Sequence, residues 1–186
     1  MVAQAMPDLG QLLIGVRGQL VSGVTVVIAE ADGEPHAATA TAVTVASIEP
    51  PLMAIFLSAG GRLHERVARG GRFTVSLLPE DGERLALRLG QPGRPSGWAN
   101  LADVELVYQM AGPPVLAAAI AWVDCALVEQ FPVGDHSCCI GRVLGLGRRP
   151  GRAPLVHYRG RFHRLGAPTT SPRRSGGDPL DCLPLL

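Results

Sequence analysis

Three strand-length stretches, Ala119–Gln130, Ser137–Leu146 and Leu155–Leu165, follow one another in the second half of the chain with only short, turn-rich connections between them. Pro132-Val133-Gly134-Asp135 joins the first pair and Gly147–Ala153 the second. Strands separated by turn signals of this kind favour a mainly antiparallel arrangement. In the third stretch Leu155, His157, Arg159, Arg161 and His163 share one parity and Val156, Tyr158 and Phe162 the other, which predicts a single two-faced strand. The first half repeats the theme. Val24–Ala29 is β-branched and short, Ala31-Asp32-Gly33 supplies a turn, and Pro35–Thr44 resumes as a strand of small residues, which together predict a β-hairpin. Many short strands and few helices point to a mainly β fold: an antiparallel barrel, closed or partly closed, rather than a parallel α/β sheet.

Leu9, Leu13, Val16 and Leu20 recur at helical spacing behind Asp8, predicting a helix over residues 9–22. Glu49-Pro50-Pro51 cannot sit inside a sheet, because proline donates no ladder hydrogen bond. It is expected to separate the small-residue strand from Leu52–Leu57, an apolar run expected to be buried on both faces. Arg62–Arg69 reads as a short helix, Phe73–Leu78 as a strand, residues 83–90 as another helix and Gln91–Gly97 as a loop. One domain is expected over residues 1–166. From about Ala167 the chain is rich in Pro, Ser, Gly and Thr, and residues 167–186 read as a flexible tail.

Charge narrows the function classes. The 17 basic residues are all arginine and face 16 acidic ones, so no basic stripe for nucleic acid stands out. Aromatics make up 4%, too few for a base-stacking platform. The longest apolar run, Val115–Val123, is far short of a membrane span. Residues 1–10 carry no positive charge, which argues against a secretory signal. Cys125, Cys138, Cys139 and Cys182 make no disulfide framework at this length and read as reduced thiols of a cytoplasmic protein.

No motif offers covalent or metal chemistry. His136 and Cys138 could share a strand face, but there is no C-x-x-C or H-E-x-x-H to complete a coordination sphere, and no metal is expected. No serine sits in a nucleophile elbow. Two segments suit a ligand. Ser58-Ala59-Gly60-Gly61-Arg62 leads from a strand into a helix start, where free backbone N–H groups and a guanidinium could cradle one phosphate. Ala37–Ser47, AATATAVTVAS, offers little packing area; it suits either a flat ligand lying on the backbone or the surface of another chain.

Taken in order, several segments resemble the flavin reductase-like family of the FMN-binding split barrels. They are SGVTVV (Ser22–Val27), TATAVTVASIEPPL (Thr39–Leu52), GRFTVSLL (Gly71–Leu78), GPPVLAAAIAWVDC (Gly112–Cys125), GDHSCCIGRV (Gly134–Val143) and PLVHYRGRFHRL (Pro154–Leu165). The resemblance covers about residues 10–165. It implies a homodimer of antiparallel split barrels in which NADH or NADPH passes a hydride to FMN or FAD, and the reduced flavin serves a separate flavin-dependent monooxygenase. Such transfer needs two planar rings stacked at about 3–3.5 Å and no nucleophile, so orientation supplies most of the catalysis.

Residue by residue, the resemblance implies that Thr39, Ala40, Thr41 and Ala42 line the isoalloxazine and ribityl chain, with Val45, Ala46 and Ser47 continuing that wall. Ser58, Gly61, Arg62 and His64 match the region near the flavin phosphate. His136 matches a histidine near the reacting rings and is the catalytic candidate, and Tyr158 and Arg159 match a pair that receives NAD(P)H. Gly61 and Leu63 stand where many members carry hydroxyls, which would weaken flavin affinity. That departure motivates a second reading, a flavin- or haem-binding carrier or sensor without turnover. A third is an oxidase with bound FMN acting on its own organic substrate.

Overall fold

The computed structural model describes residues 8–108 and 111–169; Cys182 and residues 170–186 of the expected tail lie outside them. Twelve strands and three helices are formed among the described residues. The helices are α1 (Leu9–Arg17), α2 (Arg62–Gly70) and α3 (Glu83–Gly90), with a 3-10 turn at Gly97–Leu101. The strands are β1 (Ser22–Gly23), β2 (Thr25–Ala31), β3 (Glu34–Ala40), β4 (Val43–Ser47), β5 (Leu52–Ser58), β6 (Arg72–Leu77), β7 (Leu106–Val107), β8 (Val115–Leu116), β9 (Ala121–Val133), β10 (His136–Arg148), β11 (Val156–Tyr158) and β12 (Arg161–His163).

Seven strands form one sheet in the order β3-β2-β6-β9-β10-β5-β4, every neighbouring pair antiparallel. The two edge strands, β3 and β4, are consecutive in the chain and separated by only Thr41 and Ala42. That short link requires the sheet to curl until its edges come close, yet no ladder joins them. The expected antiparallel split barrel is therefore what forms. Its interior confirms the curl: Val27, Ala29, Ala38, Met53, Ile55, Phe73, Val75, Cys125 and Cys139, from strands spread across the sheet, pack into one core with Leu63 and Val67 of α2. Outside the barrel Val26, Ile28 and Ala37 pack under Ala86 and Leu89 of α3 and Leu116 of β8. β2 is thus covered on both faces, which suits its β-branched sequence.

Gly141 interrupts the regular pairing of β10 with β9 at a bulge. A Cβ there would come 2.5 Å from Phe73 Cζ and 2.7 Å from Cys125 Cβ, both fully buried. Gly141→Ala is expected to lower stability by about 1–3 kcal/mol through overpacking, seen as a lower urea midpoint with unchanged slope. The Asp124-Cys125 pair also has a structural basis. Asp124, 3% exposed, accepts two bonds from Arg72, the Nε one at 3.0 Å, while burial pushes the neighbouring Cys125 thiol up to about 12, keeping it protonated.

Four local expectations need correction. Pro35–Thr44 is not one strand: β3 ends at Ala40, and by Ala42 the backbone accepts a bond from the Phe56 N–H at 3.0 Å. Glu49-Pro50-Pro51 does lie outside the sheet as expected, in the turn that joins β4 and β5 as a hairpin, with a cis Glu49–Pro50 bond. Leu155–Leu165 is two strands, β11 and β12, because Arg159 (φ 49°) and Gly160 (φ 71°) make a tight turn between them. Helix α1 stops at Arg17 before Gly18, and Leu9, Leu13 and Val16 are left exposed by this chain. Leu52–Leu57 is likewise open at one residue, Phe56, which is 36% exposed.

Candidate active-site cleft

The two residues that link β3 to β4 set the site, because the barrel's unpaired seam opens there into a cleft of about 1430 Å³. One wall is the small-residue end of β3 and its link: Ala38, Thr39, Ala40, Thr41, Ala42 and Val43. Ser58, at the end of β5, leads to the start of α2, with Gly61, Arg62 and His64. His136, at the start of β10, lies on the same cleft because it pairs with Ser58 across the ladder. The opposite side comes from the segment after α1, Gln19 to Gly23, and from His157, Arg159 and Gly160 of the β11–β12 hairpin.

Most of the anticipated residues therefore meet in one place. Val45, Ala46 and Ser47 do not border the cleft; they run along β4 away from it, with Val45 and Ala46 exposed. Tyr158 is also outside its lining, but its hydroxyl reaches Gln19 at 3.3 Å. Thr39 lines the cleft while its hydroxyl donates to the Ala86 carbonyl of α3 at 2.7 Å. Ala37 of the small-residue run is buried in the protein's own core, and Ala38 packs against the core where it borders the cleft.

Among the cleft residues that escaped the sequence reading are Phe56, His157, Gln19 and Arg94. Arg94 sits in the Gly/Pro loop after α3, where nothing in the local pattern distinguishes it from a solvated arginine. Its Nε donates to the Ala37 carbonyl at 3.2 Å, and its own carbonyl accepts a bond from Arg62 Nη1 at 2.8 Å. Burial, then the adjacent Arg62 charge, holds the Arg94 guanidinium below its usual pKa. Among the described residues neither arginine has a carboxylate partner. Two like charges held together this way make this end of the cleft cationic.

The start of α2 adds to that field. Gly61 is its N-cap and no side chain caps the helix, leaving first-turn N–H groups beside Arg62. Leu63, standing where a hydroxyl was expected, is 4% exposed and packs in the core. Backbone groups and guanidinium therefore replace side-chain hydroxyls here. His64 Nε2 meets the Gln130 amide, and its Nδ1 is buried without a partner. At the other end His136 Nδ1 lies 2.7 Å from Asp135 Oδ1, a bond that also holds the Asp135 carboxyl below the usual range. The paired nitrogen fixes the ring and leaves Nε2 for a ligand.

A cleft with a flat small-residue wall, a cationic end and a fixed imidazole suits a planar, phosphorylated ligand. Its volume exceeds the roughly 300–1,000 Å³ that encloses a single small molecule, leaving space for two rings together. Residues 17–166 match the family model described as the flavin reductase like domain. The chain belongs to the flavin reductase-like family.

Relatives agree over most of their length. An NADH-dependent FAD reductase from Streptomyces globisporus is 32% identical over 151 residues, covering 81% of this chain and 82% of that protein. The reductase component of a 4-nitrophenol 4-monooxygenase/4-nitrocatechol 2-monooxygenase from Rhodococcus opacus is 35% identical over 147 residues, 79% of this chain and 76% of that one. Among solved structures, the flavin reductase component of a bacterial two-component tryptophan halogenase superposes with a TM-score of 0.79 at 32% identity, covering 86% of this chain and 99% of that one.

Proposed function

We propose that this chain is an NAD(P)H-dependent flavin reductase that takes a hydride from NADH or NADPH onto FMN or FAD and supplies the reduced flavin to a partner monooxygenase. The observation that carries this reading is the single cleft in which the small-residue wall of β3, the Arg62–Arg94 pair and His136 converge. Relatives named as reductases or as reductase components of two-component monooxygenases support it.

The flavin supplies the chemistry, acceptance of two electrons as a hydride; this chain supplies binding and orientation. Small side chains at Ala40 and Ala42 allow the main chain to approach a ring edge, and Arg62 and Arg94 hold the phosphate. His136, fixed by Asp135, orients the nicotinamide, and Arg159 receives the dinucleotide's phosphates. No side chain is required to donate or remove a proton during hydride transfer, which agrees with a cleft built from orienting groups.

A homodimer belongs to the same reading. The apolar side of α1 is unburied by this chain, and exposed Val128, Phe131, Val133, Leu144 and Leu146 of β9 and β10 would also suit a second copy. No described helix is long and apolar enough to cross a membrane. We place the reaction in the cytoplasm, where the buried, unpaired thiols of Cys125, Cys138 and Cys139 stay reduced.

Initial rates across NADH and NADPH against FMN, FAD and riboflavin test the assignment. Nucleotide oxidation that requires added or retained flavin is the expected result. A protein that holds yellow flavin but never bleaches it with either nucleotide would be a carrier and end the reductase reading. His136→Ala is expected to lower kcat/KM for the nicotinamide nucleotide roughly tenfold, the scale of one orienting hydrogen bond, with flavin affinity within about twofold of wild type. Equal losses for both substrates would show that His136 does not serve the nicotinamide.

A further inference from the structure

The turn between β11 and β12 breaks a local rule. Two-residue hairpin turns of this hand favour Asn, Asp or Gly where the backbone turns left-handed, yet the first position is Arg159 at φ 49°. An arginine at such a site is a local departure of the kind that clusters at functional positions. That side chain borders the cleft, and its placement is specific. Arg159 Nε and Nη2 both donate to Gln19 Oε1, at 3.0 and 2.8 Å. The Tyr158 hydroxyl donates to the same oxygen at 3.3 Å, and the guanidinium carbon lies 5.2 Å from the Tyr158 ring centre. The Arg159 backbone N–H separately bonds the Gly18 carbonyl at 3.0 Å, so the hairpin is anchored whatever the residue at position 19.

We propose that Gln19 is a positioning residue for the nicotinamide substrate: its neutral amide oxygen aims the Arg159 guanidinium into the cleft while leaving the full positive charge for a phosphate of the nicotinamide dinucleotide. The choice of an amide is the point. A carboxylate would hold the same fork more strongly but cancel its charge; an apolar residue would leave the fork unaimed. Among the described residues Arg159 has no carboxylate partner, and two of its five N–H groups go to Gln19, leaving the rest for an anion. Arg62 and Arg94 form a separate cationic pair, joined to each other rather than to Gln19.

This inference rests on the reductase reading, so the wild-type protein is assayed first. Absence of flavin-dependent nucleotide oxidation there removes the reading itself, before any variant is compared. Given turnover, Gln19→Glu should raise KM for NADH about tenfold, the scale of one charge-assisted contact, and flatten its dependence on salt, with kcat and flavin KM within about twofold of wild type. Gln19→Ala should raise the same KM severalfold while keeping the salt dependence. In an Arg159→Ala background Gln19→Glu should add nothing further. A rise in flavin KM equal to that for NADH, or a Gln19→Glu effect that persists without Arg159, would overturn the proposal and leave Gln19 a structural tie.

Discussion

Replacing both Arg62 and Arg94 by alanine is expected to cost at least a hundredfold in affinity for FMN or FAD, and to leave riboflavin binding nearly unchanged. Each guanidinium would contribute a charge-assisted hydrogen bond to phosphate, about 1.5–3 kcal/mol, and two such bonds correspond to roughly two to four orders of magnitude in Kd. The pair is prepaid in the folded protein. The Arg62 guanidinium donates to the Arg94 carbonyl, and Arg94 in turn donates to the Ala37 and Gln91 carbonyls, so neither needs ordering when the ligand arrives. Their mutual repulsion, which no carboxylate among the described residues relieves, would be relieved by a phosphate. Fluorescence titration of the three flavins against wild type and the double variant reads the effect directly. Equal losses for riboflavin and FMN would mean that the pair supports the cleft's shape rather than the phosphate.

The second large effect is on stability in acid. His36 on β3 is 1% exposed, and neither of its ring nitrogens has a hydrogen-bond partner. Burial, reinforced by the Arg94, Arg62 and Arg66 charges, lowers its pKa from 6.5 to about 4. The folded protein thus holds this imidazole neutral over a range where the unfolded chain protonates it. Between these two values the unfolded state binds more protons, so stability is complete above about pH 6.5 and falls as pH drops toward 4. A gap of this size corresponds to about 3 kcal/mol. Other groups that change protonation between pH 7 and 4 also alter stability in acid, so the wild-type curve alone does not isolate His36. His36→Leu, which removes two unpartnered nitrogens at similar volume, should flatten the dependence by that amount in urea titrations from pH 7 to 4. A difference between wild type and variant that stays constant with pH would show that His36 is not the group responsible.

Periodicity carried the architecture because antiparallel strands joined by short turns depend on local chemistry. The turns at Asp32-Gly33 and Gly134-Asp135 and the β-branched run of β2 are all such signals. It failed where one residue type serves two geometries. The alternation from Leu155 to His163 reads as one strand, since an arginine carries no turn signal, and only Gly160 hinted at the reversal. The stretch Pro35–Thr44 reads as continuous because small residues suit a bend between sheet edges as well as a strand.

The site divides in the same way. Motif order placed Thr39–Ala42, Ser58, Gly61, Arg62, His64, His136 and Arg159 among the candidates, and all of these border the cleft. Arg94, Phe56, His157 and Gln19 join them only because the barrel curls and the last hairpin folds back beside α1. By itself the sequence determined an antiparallel sheet, several of its turns and the family, since hydrogen-bond geometry and hydrophobic patterning act over a few residues. Only the tertiary structure decided which arginines lack a counter-charge, which histidine is kept neutral and which side of β5 stays open, because burial and electrostatic partnership depend on residues that are distant in the chain.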